Sequence, residues 1–554
     1  MTLVGRVAPL FFLAGTAMAQ TTLFYSDTTA ARGFGASAAI LSDIDGNGLR
    51  DFVVGAPGDG NTASPSGEVY VISAESTTSP PARIAPRITA FQVGLPSSGV
   101  QLGLALANVG DVNNDGRDDF AVSAPRITNA PGLRGEVYII SIRQTGSTNF
   151  TFVERTITGP DTFGTSMVMV DTPVGRRLAI GVPGVNEVRL YDPATGGLYR
   201  TLNSGGRLGF LGFSLAAGPS NNPPGGNPTM SILAAGAPNY NNGTSFGEGY
   251  VAIYNLANTF SNAPTSFLYR GVAFEQLGTA VASVGFLPAP LGVNSPLSDF
   301  AVLGRGSTSS IVAVFHTLNS PIVGTTPTFG TVPLPGSAVV TDGKMAAYGD
   351  LDSDGLGEFA VAVAGTCRVF STANNTLTQI HTEGASTNPG LASGPDIKRM
   401  NAVDVMLGTP AFTPQTGGTI KALRMAASTL LPNPTSSLIP SLRALNRPIL
   451  VPFVSASYDF RITGPSNHAV LLLGSLAPVT PTLFQLPNTF AYVNPANAAT
   501  LGISLSMPAN FSVSLPSNPT FPFLFDAIVY QAVSIDSSNT LRASNGVLGR
   551  LCTN

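Results

Sequence analysis

Three short stretches of the chain place oxygen-bearing side chains at the same spacing. They read DIDGNGLRD at residues 43–51, DVNNDGRDD at residues 111–119 and DLDSDGLGE at residues 350–358. In each stretch, acidic or amide side chains occupy the first, third, fifth and ninth positions, glycine occupies the sixth, and the seventh residue offers its backbone carbonyl. The predicted oxygen donors are Asp43, Asp45, Asn47, Leu49 and Asp51; Asp111, Asn113, Asp115, Arg117 and Asp119; and Asp350, Asp352, Asp354, Leu356 and Glu358.

Such donor sets favour a hard cation. Ca²⁺ accepts six to eight oxygen ligands at flexible geometry, whereas Mg²⁺ tends to keep its waters and Zn²⁺ prefers His or Cys. We therefore predict about three structural Ca²⁺ sites. The alternative, three solvated turns without an ion, requires carboxylates to converge repeatedly with no counter-charge, which is electrostatically costly.

The residues that flank these stretches predict strands rather than helices. An EF-hand loop needs a bidentate Glu at position twelve, but that position holds Val54, Val122 and Val361. The following segments FVVGAP, FAVSAP and FAVAVA are short, apolar and β-prone. Each predicted cation loop therefore joins two strands.

Composition limits the class of protein. The 554 residues allow two or more domains, and 61 Gly with 44 Pro favour many short strands joined by turns. A net charge of −3 with 11% charged residues gives no electrostatic reason to expect a nucleic-acid partner. Arg6, the apolar run 7–13 and the small-residue site ending at Ala19 predict a signal peptide over residues 1–19. No later run predicts a transmembrane segment, so we expect a secreted or cell-surface protein.

An internal repeat organises residues 20–430. Seven predicted third strands recur, among them GEVYVI, GEVYII and NEVRLY, and seven central-strand markers precede them at Gly55, Ser123, Gly181, Gly236, Gly304, Ala362 and Gly408. Units one and two align without a gap at an offset of 68 residues. In the seventh unit Asp396 and Asp404 keep the outer spacing, but Lys398 and Met400 replace the inner oxygen donors, so we predict no metal there.

The repeat resembles a known family. FGAS followed by DIDGNGLRDFVVGAPG and GEVYVI is similar to the FG-GAP repeat of integrin α-subunit propellers and of many secreted bacterial proteins. The resemblance covers residues 21–430 and is strongest in units one and two. It implies an all-β, seven-bladed β-propeller with Ca²⁺ loops on one face and ligands on the opposite face. Residues 21–27 (TTLFYSD) are expected to complete the last blade; six blades remain an alternative if the seventh unit is over-interpreted.

The remaining chain has no such period. Residues 431–442 are Pro- and Ser-rich and predict a linker, and residues 443–554 predict a small β-sandwich with a hairpin at Asn545-Gly546. Cys367 and Cys552 are compatible with one disulfide or with two isolated buried thiols.

Signals of catalysis are scarce. The sequence lacks the motifs of metalloproteases, serine hydrolases and nucleotide-binding enzymes, and His316, His381 and His468 have no recognisable nucleophile beside them. Glu68 and Glu136 occupy equivalent positions and are expected to serve their blades. The favoured hypothesis is a binding or adhesion module for an extracellular protein or glycan. The alternatives are an extracellular polysaccharide lyase or glycosidase, or a passive envelope or matrix component.

Overall fold

A computed structural model of the chain forms two compact units, residues 22–424 and residues 425–554 together with 1–21. The described residues of the larger unit are 24–26, 33–58, 66–74, 83–95, 99–130, 132–145, 148–219, 231–241, 243, 247–257, 261–270, 272–285, 297–305, 309–315, 317, 331–334, 343–349, 357–363, 365–372, 377–384, 390–395, 403–410 and 418–424. In the smaller unit they are residue 425 and strands β29 to β36, given below.

The larger unit is a seven-bladed β-propeller, as predicted. Its described strands form seven four-stranded antiparallel sheets. The first blade consists of β2 Ser37–Ile40, β3 Phe52–Ala56, β4 Glu68–Ile72 and β5 Ile88–Thr89; the second of β6 Leu106–Gly110, β7 Asp119–Ala130, β8 Gly132–Thr145 and β9 Thr148–Pro160; and the third of β10 Met167–Thr172, β11 Gly175–Val182, β12 Glu187–Tyr191 and β13 Leu198–Asn203. The fourth blade consists of β14 Ser214–Pro219, β15 Ser231–Ala237, β16 Tyr250–Asn255 and β17 Ser266–Leu268, and the fifth of β18 Ala280–Gly285, β19 Asp299–Arg305, β20 Ser310–Phe315 and β21 Thr331–Pro333. The sixth blade consists of β22 Lys344–Gly349, β23 Glu358–Val363, β24 Thr366–Ser371 and β25 Thr378–Gly384, and the seventh of β26 Gly390–Pro395, β27 Val403–Thr409 and β28 Thr419–Met425 with β1 Phe24–Ser26.

The ring closes as the sequence predicts. The first strands of the blades contact one another in a complete circle, from β2 through β6, β10, β14, β18, β22 and β26 back to β2. The N-terminal strand β1 supplies the outer strand of the seventh blade, where Phe24 pairs with Lys421 and Tyr25 with Ile420. Seven blades are therefore confirmed over six. All seven predicted third strands are confirmed as well, as β4, β8, β12, β16, β20, β24 and β28.

Apolar packing between neighbouring blades explains the unbroken hydrophobic runs. Strands β3, β15 and β23 are buried at every residue because each is covered on both faces by adjacent blades. Six described clusters of buried side chains each join two neighbouring blades. A lone blade cannot bury both its faces, so the ring is the unit of stability.

Glycine pairs let neighbouring blades approach at the start of each first strand. Gly103 of the second blade has φ +87°, and a Cβ on Gly55 of the first blade would lie only 2.1 Å from the Gly103 carbonyl oxygen. That carbonyl also accepts a 2.6 Å hydrogen bond from the Ser37 hydroxyl. The same Ser-Gly-Gly arrangement recurs at Ser166, Gly181 and Gly212 and at Ser214, Gly236 and Gly278.

Three blades have another residue at the glycine position of the second strand, and in the sixth blade it is Ala362, paired with Lys344. In the second blade Ser123 occupies the glycine position, and its Oγ accepts a hydrogen bond from the backbone N–H of Ala105. In the fifth blade the strand register places Leu303 there, paired with Ala280, so the predicted marker Gly304 is wrong by one residue. Space for Leu303 comes from Gly343 of the sixth blade, where a Cβ would lie 2.2 Å from the leucine Cδ2.

The first and second strands of each blade define two faces of the propeller. We call the face that carries their connections the loop face, because residues 41–51 and 111–118 lie there. The opposite side is the corner face, where each first strand begins and each second strand ends. The part of the chain that the structure describes contains no helix with the length and apolar character needed to cross a bilayer, and its one 3-10 helix is Pro183–Val185.

The smaller unit consists of two antiparallel sheets, consistent with the predicted sandwich. One sheet has the order β29 Ser428–Leu431, β36 Leu541–Arg550, β35 Ala527–Ile535, β32 Ala469–Leu476 and β33 Ala499–Ser504; the other has β30 Ser441–Ala444, β31 Ala456–Thr463 and β34 Ala509–Leu515. The predicted hairpin at Asn545-Gly546 is wrong. Gly546 lies within β36 opposite Gln531, next to a register shift, so the Asn-Gly pair accommodates a bulge instead of a turn.

The glycine contact gives a testable prediction. Gly55→Ala places a methyl group against the Gly103 carbonyl and should lower the free energy of unfolding by about 3 kcal/mol. Gly94→Ala is the control, because Gly94 has φ +76° but nothing within 4 Å of its added Cβ, and it should cost about 1 kcal/mol. Urea unfolding of both variants measures the difference, and equal losses would contradict close packing between the blades.

Candidate metal centre

The first loop lies between β2 and β3 and is folded by its own acidic side chains. Gly46 and Gly48 have φ of +82° and +89°, a conformation that glycine adopts without strain. Their backbone N–H groups donate to the two carboxylate oxygens of Asp43, at 2.8 and 2.7 Å. As a result, carboxylate oxygens of Asp43, Asp45 and Asp51 lie within 4.8 Å of one another.

Asp51 is the buried base of this loop. Its side chain is fully buried, and Oδ2 accepts hydrogen bonds from the N–H groups of Ile44 and Asp45, while Oδ1 accepts one from Ala74 after the third strand. Burial, with a smaller contribution from the neighbouring charge of Asp45, raises the pKa of Asp51 from 3.8 to about 7, although the backbone hydrogen bonds lower it. A cation in the loop would remove both unfavourable effects.

The second loop repeats this geometry between β6 and β7. Gly116 has φ +86°, and Asn114 takes φ +61° where the first loop has Gly46; asparagine tolerates this conformation better than most residues. Asp111 accepts hydrogen bonds from the N–H groups of Asp115 and Gly116, at 3.0 and 2.8 Å. The side chains of Asn113 and Asp115 accept from Asp115 and Arg117 in turn.

Asp119 leaves one oxygen without a protein partner. The residue is fully buried, Oδ2 accepts a 2.8 Å hydrogen bond from Val112, and Oδ1 is buried with no hydrogen bond. In the first loop, the corresponding oxygen of Asp51 accepts a hydrogen bond from the N–H of Ala74. The residue equivalent to Ala74 in the second blade is Ile142, which instead pairs with Thr151 between β8 and β9. Burial raises the pKa of Asp119 to about 7, with further contributions from the charges of Asp115, Asp111 and Glu154. Asp119 Oδ1 and the neighbouring acidic side chains are thus oxygen donors of the type that a divalent cation binds. Among the described residues, three carboxylates come within 4.8 Å of one another in the first loop alone.

Glu154 is a carboxylate that the sequence repeat did not reveal. It lies on β9, and its Oε1 accepts hydrogen bonds from Ser141, Arg143 and the Nδ2 of Asn113, at 2.6, 2.7 and 3.2 Å. Burial raises the Glu154 pKa, but these hydrogen bonds outweigh it and hold the pKa below its ordinary value. The bond to Asn113 orients that amide so that its Oδ1 faces the loop, a role typical of residues that surround metal ligands. The corresponding outer segment of the first blade, residues 83–89 (RIAPRIT), has no acidic residue, so no repeat signal exists.

The two loops are linked across the blade boundary. Asp118, the eighth residue of the second loop, accepts hydrogen bonds from the backbone N–H of Ser42 and from Asn108, both at 2.7 Å. The Ser42 hydroxyl accepts one from the N–H of Asp118 in return. The repeat pattern gives no signal for Asp118, because the first loop has Arg50 at the same position.

The third predicted loop lies largely outside the described residues. This holds for Asp350, Asp352, Asp354 and Leu356 and for the 396–402 segment of the seventh blade, whereas Glu358 is described. Glu358 is buried at the start of β23, and its Oε1 accepts a 3.2 Å hydrogen bond from Ser371. The position is thus equivalent to that of Asp51 in fold as well as in sequence.

A fourth buried acid at this position was missed. Asp299 begins β19, is fully buried and accepts a hydrogen bond from the N–H of Thr317. The sequence DFAVLG resembled the start of β3 but was aligned on Gly304, one residue too late, which hid the match between Asp299 and Asp51. The third and fourth blades carry Arg177 and Ile232 at this register, so neither offers an acid there.

The glutamates, cysteines and histidines considered in the sequence either contact their own blade or lie outside the described residues. Glu68 accepts hydrogen bonds from Tyr70 and Arg87, and Glu136 from Tyr138 and Arg134, so both serve their blades. Cys367 is buried, whereas Cys552 lies outside the described residues, so their pairing stays a prediction. Of the three histidines, His381 lies in β25, and His316 and His468 fall outside the described part.

Comparisons with known proteins identify the repeat. The model of the FG-GAP repeat matches residues 34–72 and 102–140, which contain both described loops. Integrin alpha-PS2 of Drosophila melanogaster is 40% identical over 111 residues, covering 19% of this chain and 7% of the relative. Integrin alpha-4 of Xenopus laevis is 34% identical over 116 residues, covering 21% and 10%. The chain therefore spans a small part of the length of these relatives.

Among solved structures, Sqt1 of Chaetomium thermophilum is 13% identical with a TM-score of 0.42, covering 72% of this chain and 98% of Sqt1. No conclusion rests on that likeness. The matched repeats, the closed ring of seven blades and the integrin relatives agree with one another. Residues 34–72 and 102–140 are FG-GAP repeats, and they form most of the first two blades of the propeller.

Proposed function

We propose that this protein is an exported, calcium-binding β-propeller that acts as a binding or adhesion module for an extracellular protein or glycan. The observation that carries the calcium part is the loop geometry of the two FG-GAP repeats. Three carboxylates converge in the first loop, and in the second a fully buried carboxylate oxygen, Asp119 Oδ1, has no protein partner. A buried charged oxygen without a partner is costly unless a counter-charge is present.

Calcium is the cation that the donor chemistry supports. In the first loop the side chains of Asp43, Asp45, Asn47 and Asp51 and the carbonyl of Leu49 would bind it, and in the second those of Asp111, Asn113, Asp115 and Asp119 with the carbonyl of Arg117. A third site is proposed at residues 350–358 on the sequence pattern. The all-oxygen donors and the mixture of carboxylate, amide and carbonyl groups suit Ca²⁺ better than Zn²⁺.

The bound ions would stabilise the ring and leave recognition to other surfaces. Each loop joins the first strand of a blade to the second, and an ion that binds only the folded state adds roughly 2 to 4 kcal/mol at 100 to 1,000 times its Kd. Recognition of an extracellular partner is supported by the integrin α relatives. Export would be directed by residues 1–19, with cleavage after Ala19. The carbohydrate-active enzyme remains a hypothesis with no specific observation in its favour.

Calcium dependence of stability tests the proposal. Added Ca²⁺ should raise the melting temperature of the chelated protein, and Asp45→Asn should remove part of that rise because it deletes one charged ligand. Asp171→Asn is the matched control, since Asp171 is a surface aspartate in the loop-face hairpin of the third blade, which has no cation loop. Differential scanning calorimetry measures both. An identical melting curve with EDTA and with Ca²⁺ would refute the calcium assignment.

The raised pKa values give a second prediction. Without calcium, Asp51 and Asp119 bind protons in the folded state up to about pH 7, whereas in the unfolded chain they ionise near their ordinary pKa of 3.8. Stability should therefore fall as pH rises from about 4 to about 7, by up to roughly 4 kcal/mol per aspartate, and then level off.

Saturating Ca²⁺ favours the ionised form, so it should abolish this loss of stability. Urea midpoints measured at about pH 5 and pH 8, in calcium-free buffer and with Ca²⁺, distinguish the two cases. In calcium-free buffer, Asp119→Asn should reduce the loss of stability by about half, because Asp51 still titrates. The same slope with and without Ca²⁺ would show that no cation reaches these carboxylates.

A further inference from the structure

A cavity of about 440 Å³ lies on the corner face, opposite the cation loops. It forms where the third, fourth and fifth blades meet, and each blade contributes the residues just before its first strand or just after its second. Its lining includes Thr162, Phe210, Phe213, Asn239, Gln276 and Arg305. No blade forms this cavity by itself, so the closed ring is needed to assemble it.

Three of these lining residues hold a left-handed backbone conformation. Thr162, Phe210 and Gln276 have φ of +66°, +63° and +44°, and each directly precedes the Phe-Gly or Leu-Gly pair of its blade. The first blade has Gly33 there, with φ +81°. The second blade has Gln101 there, with φ +55°, although Gln101 does not line the cavity, so the conformation recurs in the repeat. Glycine would adopt it without strain. Side chains that line the cavity therefore stand where glycine would be easier to accommodate.

The cavity joins apolar walls to one positive charge. Phe210, Phe213 and two prolines form the walls, and Arg305 is the one charged side chain among the described lining residues. Its NH1 donates a long, 3.4 Å hydrogen bond to Gln276 Oε1, and no carboxylate of the described chain lies within ion-pair distance of it. Because a guanidinium has five N–H donors in a fixed fork, Arg305 retains donors for an anion.

Exposed apolar side chains lie close in the chain to residues that line the cavity. Val185, Leu208 and Phe274 are 45%, 70% and 62% exposed, and each lies two residues from a residue that lines the cavity. Phe210 itself is 46% exposed. The two aliphatic side chains, Val185 and Leu208, suit the apolar side chains of a peptide, whereas a sugar ring would stack on Phe210 or Phe274.

We propose that this cavity binds an extended segment of a protein partner that carries an aspartate or glutamate beside apolar residues. The carboxylate of the partner would pair with Arg305 in a charge-assisted, bidentate hydrogen bond, and the apolar neighbours would pack on Phe210 and Phe274. The proposal rests on the proposed binding function and names the partner's chemistry and the place where it binds.

A positional peptide library tests the proposal on the full calcium-loaded chain. The probe is a pool of capped peptides with aspartate fixed at the centre, and its control is the same pool with asparagine. Immobilised protein should retain the aspartate pool about tenfold better, because the charge-assisted pair is lost with asparagine. Arg305→Gln should remove that preference. Arg176→Gln, a matched exposed arginine in the loop-face hairpin of the third blade, should leave it unchanged.

The outcomes separate this proposal from the function on which it rests. Equal retention of the two pools, or an aspartate preference that survives Arg305→Gln, would overturn the site. Binding of an oligosaccharide of uronic acids that depends on Arg305, without peptide binding, would overturn the peptide in favour of a glycan. Failure of Ca²⁺ to raise the melting temperature is a failure of the proposed function instead. Calorimetry of Arg305→Gln, expected to match the parent protein, excludes misfolding as the cause of lost retention.

Discussion

A carboxylate that is buried beside other carboxylates needs a counter-charge, and Asp51 and Asp119 are both in that position. The apolar walls of adjacent blades bury these side chains and raise their pKa values to about 7. Asp51 also joins its loop to the end of the third strand through the N–H of Ala74, as Asp299 does through Thr317 and Glu358 through Ser371. The ninth residue of the loop thus links the loop to the third strand of the blade. It also supplies the most deeply buried oxygen donor of the proposed cation site. A hydrophobic residue at that register, such as Ile232 of the fourth blade, keeps the strand but gives up both roles.

Ring closure imposes a second constraint, a close backbone approach between neighbouring blades. Glycine allows this close approach in blades where a serine hydroxyl donates a hydrogen bond to the opposing carbonyl, as Ser37 does to Gly103. In the second blade the serine lies on the second strand, as Ser123, and accepts a hydrogen bond from Ala105 on the first. Between the fifth and sixth blades, the larger Leu303 packs against Gly343. Neighbouring blades therefore approach closely through different residue pairs. This variation explains why later repeats are harder to recognise in the sequence than the first two.

Much of the propeller was predictable because its signals are local. The turn-forming glycines, the β-prone runs and the 68-residue offset specify strands, loops and repeat length, and TTLFYSD was correctly assigned as the closing strand. Residues that act across a blade boundary or from outside the repeat were not predictable. Glu154 approaches Asn113 only through the long β8–β9 hairpin, and Asp118 reaches Ser42 from the neighbouring blade. Asp299 and the Asn545-Gly546 pair were misjudged because a one-residue register difference, or a bulge, is invisible without the partner strand.

The two faces of the ring thus have different chemistry: acidic loops on one, and an apolar cavity with a single arginine on the other. Calcium, in the proposed function, would neutralise the acidic loops. A crystal structure of the protein grown with Ca²⁺, with anomalous scattering recorded, examines this most directly. The expected result is an anomalous peak in residues 43–51 and another in residues 111–119, each about 2.3 to 2.6 Å from the ligand oxygens. Loops that hold only water or protonated, mutually hydrogen-bonded aspartates at saturating Ca²⁺ would contradict it.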